Sequence, residues 1–286
     1  MASLKTYYWL VKPGIVYGNT ITAVAGFLLG SKGHPQAGSL AAMAVGLGLV
    51  MASGCVFNNY LDRDIDSIMS RTQGRALVRG LVNPGMALGY GLVQGLTGLV
   101  ILTMGTNLLA AGLAFGGWIL YVLVYGFWKR RSVHGTAVGS LAGAIPPVVG
   151  YCAATGRFDT GAFILFFILV LWQMPHFYAI AMFRFKDYKA ANIPVLPVKQ
   201  GMRAAKLQIL VYIIAFIMAT LALSLAGYTG YSFAIIMAAV GLAWFLRGWR
   251  GFTSGDDSRW GRNMFRSSLI VILALSVMLS VGAILP

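Results

Sequence analysis

The sequence predicts an all-α polytopic membrane protein: nine transmembrane helices around an intramembrane cavity, with the N-terminus in the cytoplasm. Three observations carry this. The chain is 58% hydrophobic and 10% charged, with a mean hydropathy of +0.77, well outside the range of water-soluble domains. Apolar runs long enough to cross a bilayer recur along its length. Of its 22 Lys and Arg residues, all but Lys32 and Arg157 fall on one side of the topology those runs define. By the positive-inside rule that side is the cytoplasm.

The runs fall at about 14–30, 39–57, 85–103, 107–127, 134–154, 162–182, 208–227, 231–247 and 265–285. In lipid each must close its own backbone hydrogen bonds, so each is a helix. Residues 1–10, with aromatic residues between Lys5 and Lys12, are expected to lie along the membrane surface as a short amphipathic lead-in. They do not read as a cleaved leader, because the apolar run continues past Ala23-Val24-Ala25. The fourth and fifth runs are separated by Lys129-Arg130-Arg131, and the seventh and eighth by a Gly-Tyr-Thr-Gly turn at 227–230. Pro146-Pro147 should break or kink the fifth.

Small residues recur at helix-packing spacing: Gly26 and Gly30, Gly91 and Gly95, Gly112 and Gly116, and Gly135, Gly139 and Gly143. Cys55 and Cys152 lie in apolar runs and read as packed thiols, although spacing alone leaves a disulfide open. The net charge of +15 would suit a nucleic-acid partner, but its one-sided distribution is what a lipid bilayer selects. Nucleic acid is therefore excluded.

Two cytoplasmic loops are long, about 58–84 and 183–206, and each carries Asp among basic residues after an even-numbered span. The expectation is one domain over 1–286 with two weakly repeated halves; the alternative is two unrelated basic loops. The first loop opens with Asn58-Asn59-Tyr60-Leu61-Asp62-Arg63-Asp64-Ile65-Asp66, which holds three of the 7 acidic residues, all of them Asp. On a helix Asn58, Asp62 and Asp66 share a face while Asp64 points elsewhere. An amide and two carboxylates on one face suit magnesium, which is held by one or two carboxylates plus substrate phosphate oxygens. Arg71, Arg75 and Arg79 follow, with planar forks for the same phosphates. A solvated, chemically idle loop is the bland reading. Adjacency to a span, the amide one turn earlier and the arginines at four-residue spacing argue against it.

Polar groups at membrane depth are costly and so are functional candidates. His176 stands out, in Trp172-Gln173-Met174-Pro175-His176-Phe177-Tyr178. If the sixth helix runs on regularly, His176 lies on the same face as Asp187, about 16 Å away along the axis. The competing reading is a histidine hydrogen-bonded to a neighbouring helix. His34 and His134 sit in a loop and at a helix end, and Asn19, Gln94, Asn107 and Gln173 read as helix-to-helix glue. Tyr121 and Tyr125, one turn apart, suit either a cavity wall or the interfacial aromatic belt.

These residues together suit a diphosphate with an apolar tail, its headgroup gripped at the interface and its tail among the helices. If the tail is allylic, neutralising the leaving diphosphate stabilises charge in the transition state. The allylic cation can then alkylate an electron-rich acceptor in a dry cavity.

Four stretches carry a resemblance: Lys12-Pro13-Gly14-Ile15; the Asn58 to Asp66 segment before Arg71-Thr72 and Arg75; Gln173-Met174-Pro175-His176; and Asp187-Tyr188-Lys189-Ala190-Ala191-Asn192-Ile193-Pro194-Val195-Leu196-Pro197. In these the chain resembles the intramembrane UbiA-type prenyltransferase superfamily and, within it, the bacterial protohaem IX farnesyltransferases, over nearly its whole length.

The resemblance implies that Asn58, Asp62 and Asp66 bind Mg2+ and farnesyl diphosphate, with Asp187 as a further metal ligand. It implies that Lys12, Arg71, Arg75 and Lys189 meet the diphosphate or the haem propionates. The second motif of the superfamily usually has another acidic residue four positions on; here that place is Ala191, which thins the second metal-binding arm. The implied acceptor is the 2-vinyl group of haem b and the product haem o, made at the inner face of the bacterial cytoplasmic membrane for a terminal oxidase or a haem a synthase. His176 is the candidate haem contact.

Three rivals remain at this stage. A UbiA-type enzyme of quinone biosynthesis differs only in its acceptor. A secondary transporter of an anion would gather its polar groups near the midplane, whereas these aspartates crowd one interface. A haem-binding assembly factor would leave the aspartates without a role.

Overall fold

The computed structural model describes residues 3–282 and 284–286. Among them nine helices are long and apolar enough to cross a membrane: Pro13–Ser31, Ala37–Leu61, Pro84–Gly105, Leu108–Trp128, Gly135–Thr155, Thr160–Phe183, Leu196–Leu225, Tyr231–Arg250 and Asp257–Val281. Their starts are written in the sequence. Pro occupies the first turn of the first and third spans, and Asn83, Asn107, Asp159 and Asp256 cap the third, fourth, sixth and ninth with their side chains. The surface helix spans Leu4–Leu10 with Leu4 and Trp9 exposed and Leu10 buried. Met1 and Ala2, which it was expected to include, lie outside the described residues.

Two spans begin earlier than hydropathy suggests. The seventh starts at Leu196 and the ninth at Asp257, because their first turns carry Lys199, Arg203 and Lys206, and Arg259 and Arg262. The turn Leu196–Gln200 is separated from the rest of the seventh by Gly201, whose φ of 85° interrupts the helix. The long loops shrink accordingly. The first contains a helix over Arg63–Ile68 followed by turns, and the second a helix over Phe185–Ala190.

The sixth helix does not run on to Asp187. It ends at Phe183, and Arg184 leaves helical geometry with φ −105° and ψ 22°. Asp187 therefore sits on a separate helix and not in register above His176.

The fifth span breaks where its prolines predict. Helix Gly135–Gly143 stops at Ala144, and Ile145–Thr155 restarts with Pro146-Pro147 in its first turn. That second segment packs backbone to backbone on the first span: a Cβ on Gly26 would fall 2.0 Å from the Pro147 carbonyl oxygen, and one on Gly150 1.9 Å from that of Ala23. Gly112 and Gly116 were expected to pack in the same way, but a Cβ on either would meet nothing within 4 Å. They face outward, and their spacing carries no helix contact.

Buried side chains form two large clusters. One gathers Phe27, Met43, Leu47 and Leu102 from the early spans. The other gathers Leu165, Ile213, Phe216, Phe233 and Trp244 from the later ones. Cys55 and Cys152 are free and buried, as packed thiols. At the basic end of the later half Lys206 is 4% exposed. Its Nζ donates to the carbonyls of Phe252 and Ser254, both at 3.0 Å, and pairs with Asp257 at 2.7 Å. This ties the seventh span to the connection between the eighth and ninth.

Candidate active site

The second span carries its helical ladder past its formal end. Asp62 N–H donates to the Asn58 carbonyl at 3.0 Å and Asp66 N–H to the Asp62 carbonyl at 2.8 Å. Asn58, Asp62 and Asp66 thus stay in register as a stripe, at 4%, 7% and 4% exposure. Asp64 faces away, its side chain 65% exposed. The stripe lies inside the bundle rather than in solvent.

Four basic residues converge on it from three segments. Lys12 stands between the surface helix and the first span in a left-handed conformation, φ 51° and ψ 64°. That geometry aims Nζ at Asn58 Oδ1, 2.6 Å away. Lys129, just past the fourth span, forms an ion pair with Asp62. Arg130 donates to Asp62 at 3.3 Å, to Asp64 at 2.6 Å and to the Leu61 carbonyl at 2.6 Å. Arg75 pairs with Asp66, and Thr72 Oγ1 donates to the Asp66 carbonyl at 3.1 Å. Buried carboxylates need such partners.

The electrostatics follow. Burial, then the nearby Arg75 charge, lowers the Lys12 pKa to about 8. Burial lowers that of Lys129 too, against the opposing pull of Asp62. The Arg130 guanidinium holds the Asp64 carboxyl below the usual range.

One polar atom in the stripe is left over. With Oδ1 accepting from Lys12, Asn58 Nδ2 is a buried donor without a partner among the described residues. Such orphans are rare and call for a ligand; a donor here suits an anionic oxygen. Among the described residues no three His, Cys, Asp or Glu side chains converge on a metal position. The fit to a cation is therefore Asp62 and Asp66 with oxygens that a phosphate substrate brings.

The second Asp loop reaches the first through one contact. Ser70 donates to Asp187 Oδ1 from Oγ at 2.7 Å and from its backbone N–H at 3.3 Å, while Arg184 stands 3.9 Å from Asp187 Oδ2. Arg71 and Lys189 are exposed and make no ion pair among the described residues. They border the site without entering the cluster.

Beneath the ion pairs the fourth span turns π-helical over Leu120–Tyr125, an irregularity that frequently marks functional sites. It stacks Tyr121 on Tyr125, centroids 6.0 Å apart and planes 12° apart. Lys129 Nζ lies 5.2 Å from the Tyr125 ring centroid. Tyr125, Lys129, Thr136, Phe177, Tyr188 and Val195 line a chamber of about 70 Å³ that joins the two halves. A larger groove of about 750 Å³ runs outside it, between the surface helix and the first three spans.

His176 lies away from the aspartates. Its Nδ1 is 2.8 Å from Ser268 Oγ of the ninth span, and its ring stacks on Trp172 at 4.8 Å. Lys129 and Arg130 were read in the sequence as topology signals, and their contact with the stripe went unread. The available signal was arithmetic: buried carboxylates require cations, and this doublet ends a neighbouring span.

Comparison with known proteins agrees with the geometry. The profile of the UbiA prenyltransferase family matches residues 19–270. The protoheme IX farnesyltransferases of Chromohalobacter salexigens and of Yersinia pseudotuberculosis serotype O:1b are each 53% identical over 97% of this chain and 95% of theirs. A digeranylgeranylglyceryl phosphate synthase structure superposes with a TM-score of 0.80 at 18% identity, covering 98% of both chains. A UbiA homologue from Archaeoglobus fulgidus bound to GPP and Mg2+ does so at 0.70 and 14%, covering 96% of this chain and 99% of its own; at such identities the likeness speaks to fold alone. The chain belongs to the UbiA prenyltransferase family, among the protohaem IX farnesyltransferases.

Proposed function

We propose that this protein transfers the farnesyl group of farnesyl diphosphate to the 2-vinyl group of haem b and, with addition of water, makes haem o. The observation that carries the chemistry is the buried Asn58–Asp62–Asp66 stripe ringed by Lys12, Lys129, Arg130 and Arg75. The choice of acceptor is supported by the 53% identity to the named farnesyltransferases.

Asp62 and Asp66 would hold Mg2+, with Asn58 and Asp187 beside them. When bound, the ion neutralises the diphosphate and makes it a better leaving group. Lys12, Lys129 and Arg75 would take up diphosphate oxygens, Lys129 and Arg75 in exchange for the carboxylates of Asp62 and Asp66 and Lys12 in exchange for the Asn58 amide oxygen, and the free Nδ2 of Asn58 would donate to another. Arg71 and Lys189 at the rim complete the anion's surroundings.

The C1–O bond of the farnesyl diphosphate breaks with its electron pair leaving on the diphosphate. The vinyl π electrons form the new C–C bond, and water captures the resulting cation next to the pyrrole and loses a proton. The surrounding helices exclude other water until that point. Tyr121 and Tyr125, under Lys129, offer ring faces to the developing charge. His176 is the proposed haem contact.

The whole chain acts as one domain whose two Asp loops meet at Ser70 and Asp187. Its basic end faces the cytoplasm of a bacterial inner membrane, since 22 Lys and Arg leave only Lys32 and Arg157 for the other side. The product passes to a haem-copper terminal oxidase or a haem a synthase. The test is to incubate purified protein with haem b, farnesyl diphosphate and Mg2+ and to weigh the haem. A product heavier by a farnesyl group and a hydroxyl supports the reading, and unaltered haem refutes it.

A further inference from the structure

Two consecutive residues of the second span hold the two ends of one lysine arm. Asn58 Oδ1 accepts from the Nζ tip of Lys12 at 2.6 Å. Asn59, about 100° further round the helix, donates from Nδ2 to the Leu10 carbonyl at 2.8 Å, two residues before the root of the arm. A carbonyl only accepts, so the Asn59 amide must turn its nitrogen to Leu10. The need for that donor is written in the chain. Leu10 closes the surface helix, whose last carbonyls have no partners within it. Lys12 N–H serves Trp9 at 3.3 Å, and Pro13 has no N–H to give. Leu10 is 2% exposed, and Asn59 is the donor that reaches its carbonyl.

The backbone held in this way is an unfavourable one. Lys12 takes φ 51° and ψ 64°, and among the described residues only Lys32 and Asn192 share a positive φ without being glycine. It also precedes Pro13, whose ring biases the residue before it towards extended backbone. Such a conformation persists only where its surroundings over-determine it, and it collects at binding sites. Here Leu10 packs with Val56, Leu77, Val82 and Ala87 on one side of the turn, and Pro13 is buried on the other. Asn59 itself is 3% exposed, and its Oδ1 meets no donor among the described residues. A buried amide with half of its capacity idle is a poor choice for stability alone. What its nitrogen holds is the reason for it.

Resting on the reading that the site takes a prenyl diphosphate, we propose that Asn59 is the positioning residue for Lys12. Once Nζ leaves Asn58 for a diphosphate oxygen, the contact at the tip of the arm is gone and the clamp on Leu10 remains. The clamp keeps Lys12 in its left-handed turn, so the ammonium stays at the stripe and does not swing out with the surface helix. Asn59 touches no reacting atom in this role. It acts through Lys12, on affinity for the headgroup.

The experiment is a double-mutant cycle on the purified protein in nanodiscs, titrated calorimetrically with farnesyl diphosphate in Mg2+, with no acceptor present. Asn59→Leu, which keeps the volume and removes the donor, should weaken binding by about tenfold, the effect of one buried hydrogen bond. In the presence of acceptor its KM for farnesyl diphosphate should rise by the same factor with kcat unchanged, as for a contact made equally in ground and transition states. In a Lys12→Ala background Asn59→Leu should cost little more, because the two act as one unit. A merely structural loss would add to that of Lys12→Ala and would lower kcat as well. Unchanged affinity in Asn59→Leu overturns the proposal, as do additive losses or a Lys12→Ala variant that binds normally. Should Asn59→Leu not survive purification, Leu10→Ala loosens the same root from its other side and is judged by the same cycle. Failure of the unmutated protein to bind farnesyl diphosphate would sink the reading beneath; binding with the variants unmoved sinks the clamp alone.

Discussion

Lys129 and Asp62 form an ion pair across the mouth of the site, one from the end of the fourth span and one from the end of the second, with side chains only 10% and 11% exposed. In the protein alone the lysine neutralises a carboxylate that would otherwise be buried unpaired. On the proposed reading a metal-held diphosphate would supply both a cation for Asp62 and an anion for Lys129, so the pair would exchange partners without leaving either charge stranded.

Removal of that carboxylate therefore cripples chemistry more than folding. Asp62→Ala is expected to lower kcat/KM by about 10²–10³-fold, the range seen when one electrostatic contact to a developing charge is lost. Lys129, its pKa already lowered by burial, can shed its proton and stay buried. Turnover by membrane-inserted protein with an unchanged elution profile is the measurement; near-normal rates would refute the role of Asp62.

Two carboxylates are too few to saturate a divalent cation, so the metal should enter with its substrate. Excess chelator is expected to abolish transfer while leaving the thermal midpoint of the substrate-free protein unmoved. A large loss of stability on chelation would point instead to a structural ion.

The pH dependence follows from Lys12. Burial, aided by Arg75, brings its pKa to about 8. It is cationic below that value and neutral above it. Affinity for farnesyl diphosphate should therefore fall as the pH rises from about 7 to about 9. Lys12→Arg, whose guanidinium stays charged throughout, should flatten the profile. A binding curve indifferent to pH in the unmutated protein would exclude Lys12 from the diphosphate site.

Much of this was legible in the sequence for definite reasons. Apolar run length and the Lys/Arg bias express the bilayer directly, so the nine spans and their shared basic end could be read off. The i, i+4, i+8 spacing placed Asn58, Asp62 and Asp66 together because the helical ladder persists through Asp62. Contacts between segments distant in sequence were not legible. Arg130 meets Asp64 across 66 positions and Ser70 meets Asp187 across 117, and no local pattern encodes either. The break at Arg184 was also hidden, because nothing in Phe183-Arg184-Phe185 forbids a helix. Gly112 and Gly116 failed as packing signals because spacing records a stripe on a helix and not what faces it.

Lys206 offers a test of stability apart from catalysis. It is a lysine with its side chain 6% exposed, held by two carbonyls and by Asp257. Truncating its charge takes the donor from two carbonyl acceptors and the cation from Asp257, so Lys206→Met is expected to cost about 1–3 kcal/mol. Asp257 is 34% exposed, and water can partly replace it, so Asp257→Asn should cost less. Thermal unfolding in detergent orders the two variants, and turnover at low temperature should stay near that of the unmutated protein in both. If Lys206→Met instead kept its thermal midpoint and lost turnover, the lysine would belong to the chemistry rather than to the scaffold.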